Sequence, residues 1–251
     1  MGKVVAVANQ KGGVGKTTTC VNLTAELTGL GKKVLLIDFD PQGNSTSGMG
    51  MSKRCSPTAY EVVMGNCAAD EAVIQLTHGW LLPANADLAG VEVELANQEQ
   101  REFRLKQALN SIRDDYDFIF IDCPPSLGLL TLNAFTAADS ILVPLQCEYY
   151  AMEGIADLST SVKMANKRLN KNLYIEGILL TMYDTRLNFS GQVAEELRRY
   201  FSGRVYDTVI PRNVRLAEAP SHGTPIREYD PLCKGGRAYR EAAEEFLRRQ
   251  R

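Results

Sequence analysis

The run "NQKGGVGKTT" (residues 9–18) packs three glycines, two lysines and two threonines into ten positions. It follows the apolar stretch "KVVAVAN" (3–9) and opens a segment with helical spacing, 16–30. Those residue types in that setting point to phosphate chemistry. In the pattern G-x-x-x-x-G-K-[ST], backbone N–H groups and the following helix N-terminus cradle phosphate oxygens. Gly15, Lys16 and Thr17 supply the second half of the pattern. Lys16 is placed to neutralise β- and γ-phosphates, and Thr17 to put its hydroxyl on Mg²⁺. Gly12, Gly13 and Gly15 permit the tight path, with Val14 and Thr18 completing the loop. A glycine-rich turn that binds nothing is the bland alternative, and the strand–loop–helix context weighs against it. Gln10 stands where the pattern has its first glycine, and Lys11 follows it. The phosphate role needs one lysine; the second requires its own explanation, and by itself reads only as a solvated charge.

Two further segments end apolar runs in aspartate. "LLIDFDPQGN" follows the strand expected over 33–38 and carries Asp38 and Asp40. In open α/β sheets, strand ends of this kind face the ligand crevice. Phosphoryl hydrolysis needs a positioned water and charge compensation rather than covalent help. Asp40 is suited to orienting that water and Asp38 to holding water around Mg²⁺. The same Asp, Pro, Gly and Asn residues are also good turn formers, and the two readings are compatible. "FIFIDCPPSLG" places Asp122 at the end of the run 118–122, a Walker B arrangement in which the carboxylate bonds waters on Mg²⁺.

Elements must position these groups. Short apolar, β-branched runs predict strands over 3–9, 33–38, 118–122, 140–145 and 175–182. Longer segments with helical spacing alternate with them, at 16–30, 100–113, 150–169 and 190–201. Continuous apolar strands alternating with helices predict an α/β fold, a single doubly wound, mostly parallel sheet flanked by helices. No linker or repeat interrupts the chain, so one domain is expected over 1–251. Residues 50–98 are the least patterned, and "MGNCAADEAV" and "NADLAGVEVELA" read as ordinary surface helices. The last segment, "GRAYREAAEEFLRRQR", puts Tyr239, Ala242, Ala243, Phe246 and Leu247 on one helical face. That face is expected to pack on the sheet rather than on a membrane.

With 45% hydrophobic and 23% charged residues among 251, the composition is that of a soluble globular protein. No run approaches a membrane span and the N-terminus does not resemble a signal peptide, which predicts a cytoplasmic protein. Six dispersed cysteines without a C-x-x-C pair, and only His78 and His222, argue against structural zinc or a disulfide framework. The net charge of −2 conceals an asymmetry: residues 198–251 hold 12 Arg/Lys against 7 Asp/Glu. Such a segment is either a solvated face or a footprint for an anionic partner.

The loop resembles the deviant phosphate-loop signature K-G-G-x-G-K-[ST] of the ParA/MinD class of P-loop ATPases. The resemblance answers the question of the second lysine. In that class the early lysine contacts phosphate bound in a partner subunit, so Lys11 implies an ATP-sandwich homodimer. It also makes the Asp40 segment switch I, with Asp40 needed for hydrolysis, and the Asp122 segment switch II. From about residue 140, "VPLQCEYYAMEG" (143–154), "LLTMYDTR" (179–186) and "IPRNVRLAEAPSHGTPI" (210–226) are similar to one branch, the ParA/Soj chromosome-partitioning ATPases. By that resemblance Pro211 and Asn213 border the adenine, and Glu148 lies near the ribose across the dimer. The implied cofactors are ATP and Mg²⁺, and the implied partners are double-stranded DNA and a ParB-type protein that stimulates hydrolysis.

Relatives with the same loop do other work. Iron–sulfur members need cysteines to hold a cluster, and Cys123 has no partner of suitable spacing. MinD-type proteins attach to membrane through a bulky amphipathic C-terminal helix, which "RRQR" does not supply. A biosynthetic ligase such as dethiobiotin synthetase is a further alternative. A strand starting at Lys3 leaves no room for an N-terminal helix-turn-helix. DNA binding is therefore expected to be phosphate-directed, sequence-independent and nucleoid-associated. Candidate contacts are Arg186, Arg212, Arg215, Arg237, Arg240, Arg248 and Arg249, with Arg186 and Arg215 favoured by the resemblance. Pairing of these arginines with Glu241, Glu244 and Glu245 along the last helix is the competing reading.

Overall fold

A computed structural model describes residues 2–148 and 150–250, so Tyr149 of the run 143–154 and the terminal Arg251 lie outside the described residues. Eight strands form one sheet in the order β3-β4-β2-β5-β1-β6-β7-β8. They are β1 (Lys3–Val7), β2 (Val34–Asp38), β3 (Ile74–Leu76), β4 (Gly79–Leu82), β5 (Phe118–Asp122), β6 (Ser140–Gln146), β7 (Tyr174–Tyr183) and β8 (Val205–Pro211). All pairings are parallel except β3 with β4. The central strands β2 and β5 are buried along their whole length, as continuous apolar runs covered on both faces must be.

Helices cover both faces. On one side the first helix, Lys16–Gly29, and the last, Lys234–Arg249, share a core with Val5, Val7, Leu36 and Phe120. On the other, Leu129–Ala137, Ala151–Arg168 and Asn188–Tyr200 pack over Ala6, Ile37, Ile121 and Val143. The stripe expected to face the sheet does so: Tyr239, Ala242, Ala243 and Phe246 are at most 1% exposed. Phe246 meets Phe118 edge-on, with ring centroids 5.1 Å apart at 73°. Leu247 sits partly buried at the margin of the same cluster.

Three strands and three helix assignments differ from the sequence expectation. β3 and β4 are three and four residues long, too short to show a period, and fall in the unpatterned stretch. β8 is an edge strand whose Asp207 and Thr208 break its apolar run. The helix expected over 100–113 is a 3₁₀ turn, Arg101–Phe103, followed by a short helix, Arg104–Leu109. The segments 64–73 and 85–96 do not form ordinary surface helices. Their helical pieces are the single turns Ala69–Ala72 and Val91–Glu94, with a 3₁₀ turn at Ala86–Gly90, and Leu88, Val91 and Leu95 are buried in the core.

Candidate nucleotide site

The C-terminal ends of β1, β2 and β5 converge because the strands are adjacent and parallel. Val7 and Asp38 are each in register with Asp122. The chain leaving β1 is pinned by Asn9, which is 3% exposed. Its Nδ2 donates to the Pro144 carbonyl at 2.8 Å, and its Oδ1 accepts the Lys11 N–H at 3.0 Å. Gly13 and Gly15 then take φ of 74° and 88°, in the region that favours glycine. Thr181 of β7 closes the loop from outside by donating to the Val14 carbonyl at 2.7 Å. Gly15 is the N-cap of the first helix; no side chain caps that end and no acid lies in its first turn. Its N–H groups and dipole therefore face the loop opening, the arrangement that holds phosphate.

The two lysines diverge. Lys16 is 7% exposed and its Nζ donates to the Lys11 carbonyl at 3.2 Å, across the inside of the loop. Burial lowers its pKa, and the Asp122 charge opposes that shift. Lys11 points outward and pairs with Glu148, each side chain about half exposed (49% and 51%). Thr17 and Thr18 are half-buried at the start of the helix.

Beneath the loop, Asp38 and Asp122 lie side by side and fully buried. Asp38 Oδ2 accepts the Thr46 N–H at 2.6 Å and the Thr46 hydroxyl at 2.7 Å, while Oδ1 accepts the Asp40 N–H at 3.3 Å. Asp122 Oδ2 accepts the Ser45 hydroxyl at 2.7 Å, and Oδ1 has no hydrogen-bond partner. Both carboxyls are pushed above the usual range by burial first; the neighbouring Asp122 charge raises Asp38 further. Ser45 and Thr17 hydroxyls offset part of the shift at Asp122. A buried carboxylate with an unmet acceptor, beside a threonine hydroxyl and a second carboxylate, is a set of hard oxygen donors that suits Mg²⁺. Asp40 sits half-buried at the crevice mouth, accepting the Gln42 N–H at 2.9 Å.

A cavity of about 240 Å³ adjoins the loop between Gly15, Thr18, Thr181, Ile210, Pro211 and Asn213. Its lip includes Met182, a non-glycine residue at φ 50°. Asn213 lines the cavity and also caps the short helix Val214–Glu218 by accepting the Arg215 N–H at 2.9 Å. The candidate phosphate, metal and adenine residues are thus brought together at one end of the sheet.

The arginines are not. Arg186 makes a forked pair with Asp184 (2.9 and 2.6 Å), which pushes that carboxyl down to about 2. Arg215 pairs with Glu218 at 2.9 Å and approaches Asp230 at 3.6 Å. Along the last helix Arg240 faces Glu244 at 3.6 Å and Arg249 faces Glu245 at 2.7 Å. Arg212, Arg237 and Arg248 are exposed and have no carboxylate within 4.0 Å among the described residues.

The sequence reading missed Asn9, Ser45 and Thr46. "GNSTSG" (43–48) carries hydroxyls, but nothing local says that they reach back to aspartates on β2 and β5. No group of three or more His, Cys, Asp or Glu that could hold a metal ion occurs among the described residues, and all six cysteines are free.

Comparison with known proteins agrees with this geometry. A family model described as an AAA domain matches residues 2–175. The chain is 53% identical over 248 residues to the sporulation initiation inhibitor protein Soj of Bacillus subtilis, covering 98% of each. It is 49% identical over 252 residues to the chromosome-partitioning ATPase Soj of Treponema pallidum, covering 99% of this chain and 98% of that one. Among solved structures, the cobyrinic acid a,c-diamide synthase of Mycobacterium smegmatis with bound ADP and magnesium superimposes with a TM-score of 0.87 at 39% identity. That superposition covers 100% of this chain and 96% of the other. The family match, the sequence identities and the superposition agree, and the chain belongs to the ParA/Soj family of chromosome-partitioning ATPases.

Proposed function

We propose that this protein is an ATP-driven DNA-segregation switch. It binds ATP with Mg²⁺, closes as a face-to-face dimer, holds DNA without sequence preference in that state, and lets go on hydrolysis. The observation that carries the reading is the divergence of the two lysines. Lys16 lies inside its own loop, whereas Lys11 stands on the surface against Glu148, the other residue expected to reach a nucleotide across the dimer. An exposed ion pair contributes little to stability, so its two groups are free to exchange partners when a second copy approaches.

Within one chain the loop N–H groups and Lys16 hold the β- and γ-phosphates, and the cavity at Pro211 and Asn213 takes the adenine. Thr17, Asp122 and Asp38 would hold Mg²⁺, directly or through water, and the ion would supply charge neutralisation between the phosphates. Asp40 orients the attacking water. Hydrolysis then resets a binding state, and a ParB-type partner accelerates it. The whole chain acts as one ATPase domain and resides with the nucleoid. No helix among the described residues is long and apolar enough to cross a membrane.

The test is binding of the Asp40→Ala protein to a random duplex with ATP and with ADP at two salt concentrations. ATP-dependent, salt-sensitive binding is expected. Equal or absent binding with both nucleotides would overturn the reading.

A further inference from the structure

The end of the sheet farthest from the phosphate loop carries a concentration of charge that none of the motifs uses. Residues 158–175 contain Lys163, Lys167, Arg168 and Lys171 and no Asp or Glu; residues 197–206 contain Arg198, Arg199 and Arg204 and again no acid. The first stretch is the end of the helix Ala151–Arg168 and the turn into β7. The second is the end of the helix Asn188–Tyr200 and the turn into β8. Because β7 and β8 are parallel neighbours, both turns emerge at the N-terminal edge of the sheet. Thr181, which touches the phosphate loop, is seven residues along β7 from Tyr174, or roughly 23 Å.

A cleft of about 550 Å³ joins the two stretches, lined by Lys163, Asn166, Tyr174, Phe201 and Arg204 among others. All seven cations are exposed, and none has a carboxylate within 4.0 Å among the described residues. The flanking acids Glu195 and Glu196 are exposed on their helix and form no such pair; Glu176 is occupied by Lys3 and Ser140. Arg249 ties the last helix to the same turn by donating to the Gly203 carbonyl at 3.0 Å.

Cations in the last turn of a helix are favoured by its dipole, and this accounts for Lys167, Arg168, Arg198 and Arg199. It does not account for Lys163, a turn and more before the helix end, or for Lys171 and Arg204 in the turns. Of these, Lys163 and Arg204 line the cleft itself and bring to a concave surface positive charge that is unpaired among the described residues, against the ordinary cost of like-charge repulsion. A concave cleft excludes a flat bilayer and admits a ridge of phosphates.

We propose that this cleft is a second docking surface for the phosphate backbone of duplex DNA, distinct from the arginines around the nucleotide face. The proposal rests on the reading that the ATP-bound protein holds DNA without sequence preference. In a dimer closed over the phosphate loops, the two clefts point away from the shared face and both stay accessible.

The test compares wild-type protein, the double variant Lys163→Glu/Arg204→Glu and the conservative pair Lys163→Arg/Arg204→Lys. Anisotropy of a labelled random duplex is measured with ATP across a salt series. The acidic pair is expected to bind more weakly on every sequence tried, with a slope of log affinity against log salt shallower by about 2, one unit for each phosphate that is no longer neutralised. The conservative pair should match wild type, and basal ATP turnover and the thermal midpoint should be unchanged in both. Wild-type binding matched in strength and slope by the acidic pair would overturn the proposal. So would charge-dependent binding to anionic vesicles with no effect on the duplex. Absence of any wild-type binding to DNA with ATP would instead overturn the function on which the proposal rests.

Discussion

Lys11 and Lys16 differ in what surrounds them rather than in chemistry. Lys16 is buried among a carbonyl and carboxylates, so on the proposed role removing its ammonium would take a charge-assisted hydrogen bond to phosphate out of a desolvated site. Lys16→Ala is expected to weaken nucleotide binding by about 10- to 150-fold, as read by calorimetry. Lys11→Ala should leave single-chain affinity close to wild type while abolishing the ATP-dependent rise in mass seen by light scattering. Equal losses in both variants would contradict the division of labour. The buried pair Asp38–Asp122 gives a pH signature. Both pKa values are raised, so the folded state holds protons more tightly than the unfolded chain between about pH 4 and about pH 7. Stability of the metal-free protein therefore falls as pH rises through that window. Asp122→Asn is expected to raise the thermal midpoint at pH 8, by about 2–4 °C for each kcal/mol relieved, and to change it little at pH 5. A midpoint difference of the same size at both pH values would show that the pair does not titrate in this range.

At the scale of elements, the last helix depends on aromatic packing against the sheet. Phe246 is fully buried and lies between Phe118 and Phe120. Phe246→Ala is expected to cost about 3–5 kcal/mol in denaturant unfolding, the sum of lost transfer energy and a residual cavity. Tyr239 of the same helix meets Thr19 of the first helix at 3.2 Å, so loosening this helix should also weaken nucleotide binding through the floor of the adjoining cavity. The phosphate loop depends on Asn9 in a similar way. Asn9→Ala removes both of its hydrogen bonds, and the stranded Pro144 carbonyl and Lys11 N–H should cost about 1–3 kcal/mol each where water cannot reach them. Unchanged unfolding of this variant would mean that the loop is held by Thr181 and its glycines alone.

At the scale of the molecule, the sheet separates two electrostatic ends. The end that carries the phosphate loop gathers Asp38, Asp40 and Asp122 around a buried lysine; the opposite end gathers exposed cations with no carboxylate within 4.0 Å among the described residues. Among the arginines first considered for DNA, Arg186, Arg215, Arg240 and Arg249 are engaged by carboxylates, whereas Arg212, Arg237 and Arg248 have none within 4.0 Å among the described residues. Displacing a paired arginine onto phosphate gives up its existing partner, so unpaired groups should contribute more to counterion release. Arg248→Ala is therefore expected to lower the salt slope of DNA binding by about one unit, and Arg240→Ala by less. Equal effects would show that the Glu244 pair is too weak to matter.

The nucleotide loop, the two aspartate-ended strands and the alternating α/β plan were legible in the sequence. Each is encoded locally: glycines for backbone path, apolar runs for buried parallel strands, and a lysine and threonine at fixed offsets. The last helix declared its buried face through spacing alone. The tertiary structure decided what depends on distant partners. It placed Ser45 and Thr46 under the aspartates, bound Lys11 to Glu148, paired some arginines and left others bare, and drew the edge strands β3, β4 and β8 into the sheet. It also brought together two basic stretches separated by 21 residues in the chain. Local propensity cannot encode these results, because hydrogen bonds, ion pairs and edge pairing are settled by which surfaces the parallel crossovers bring face to face.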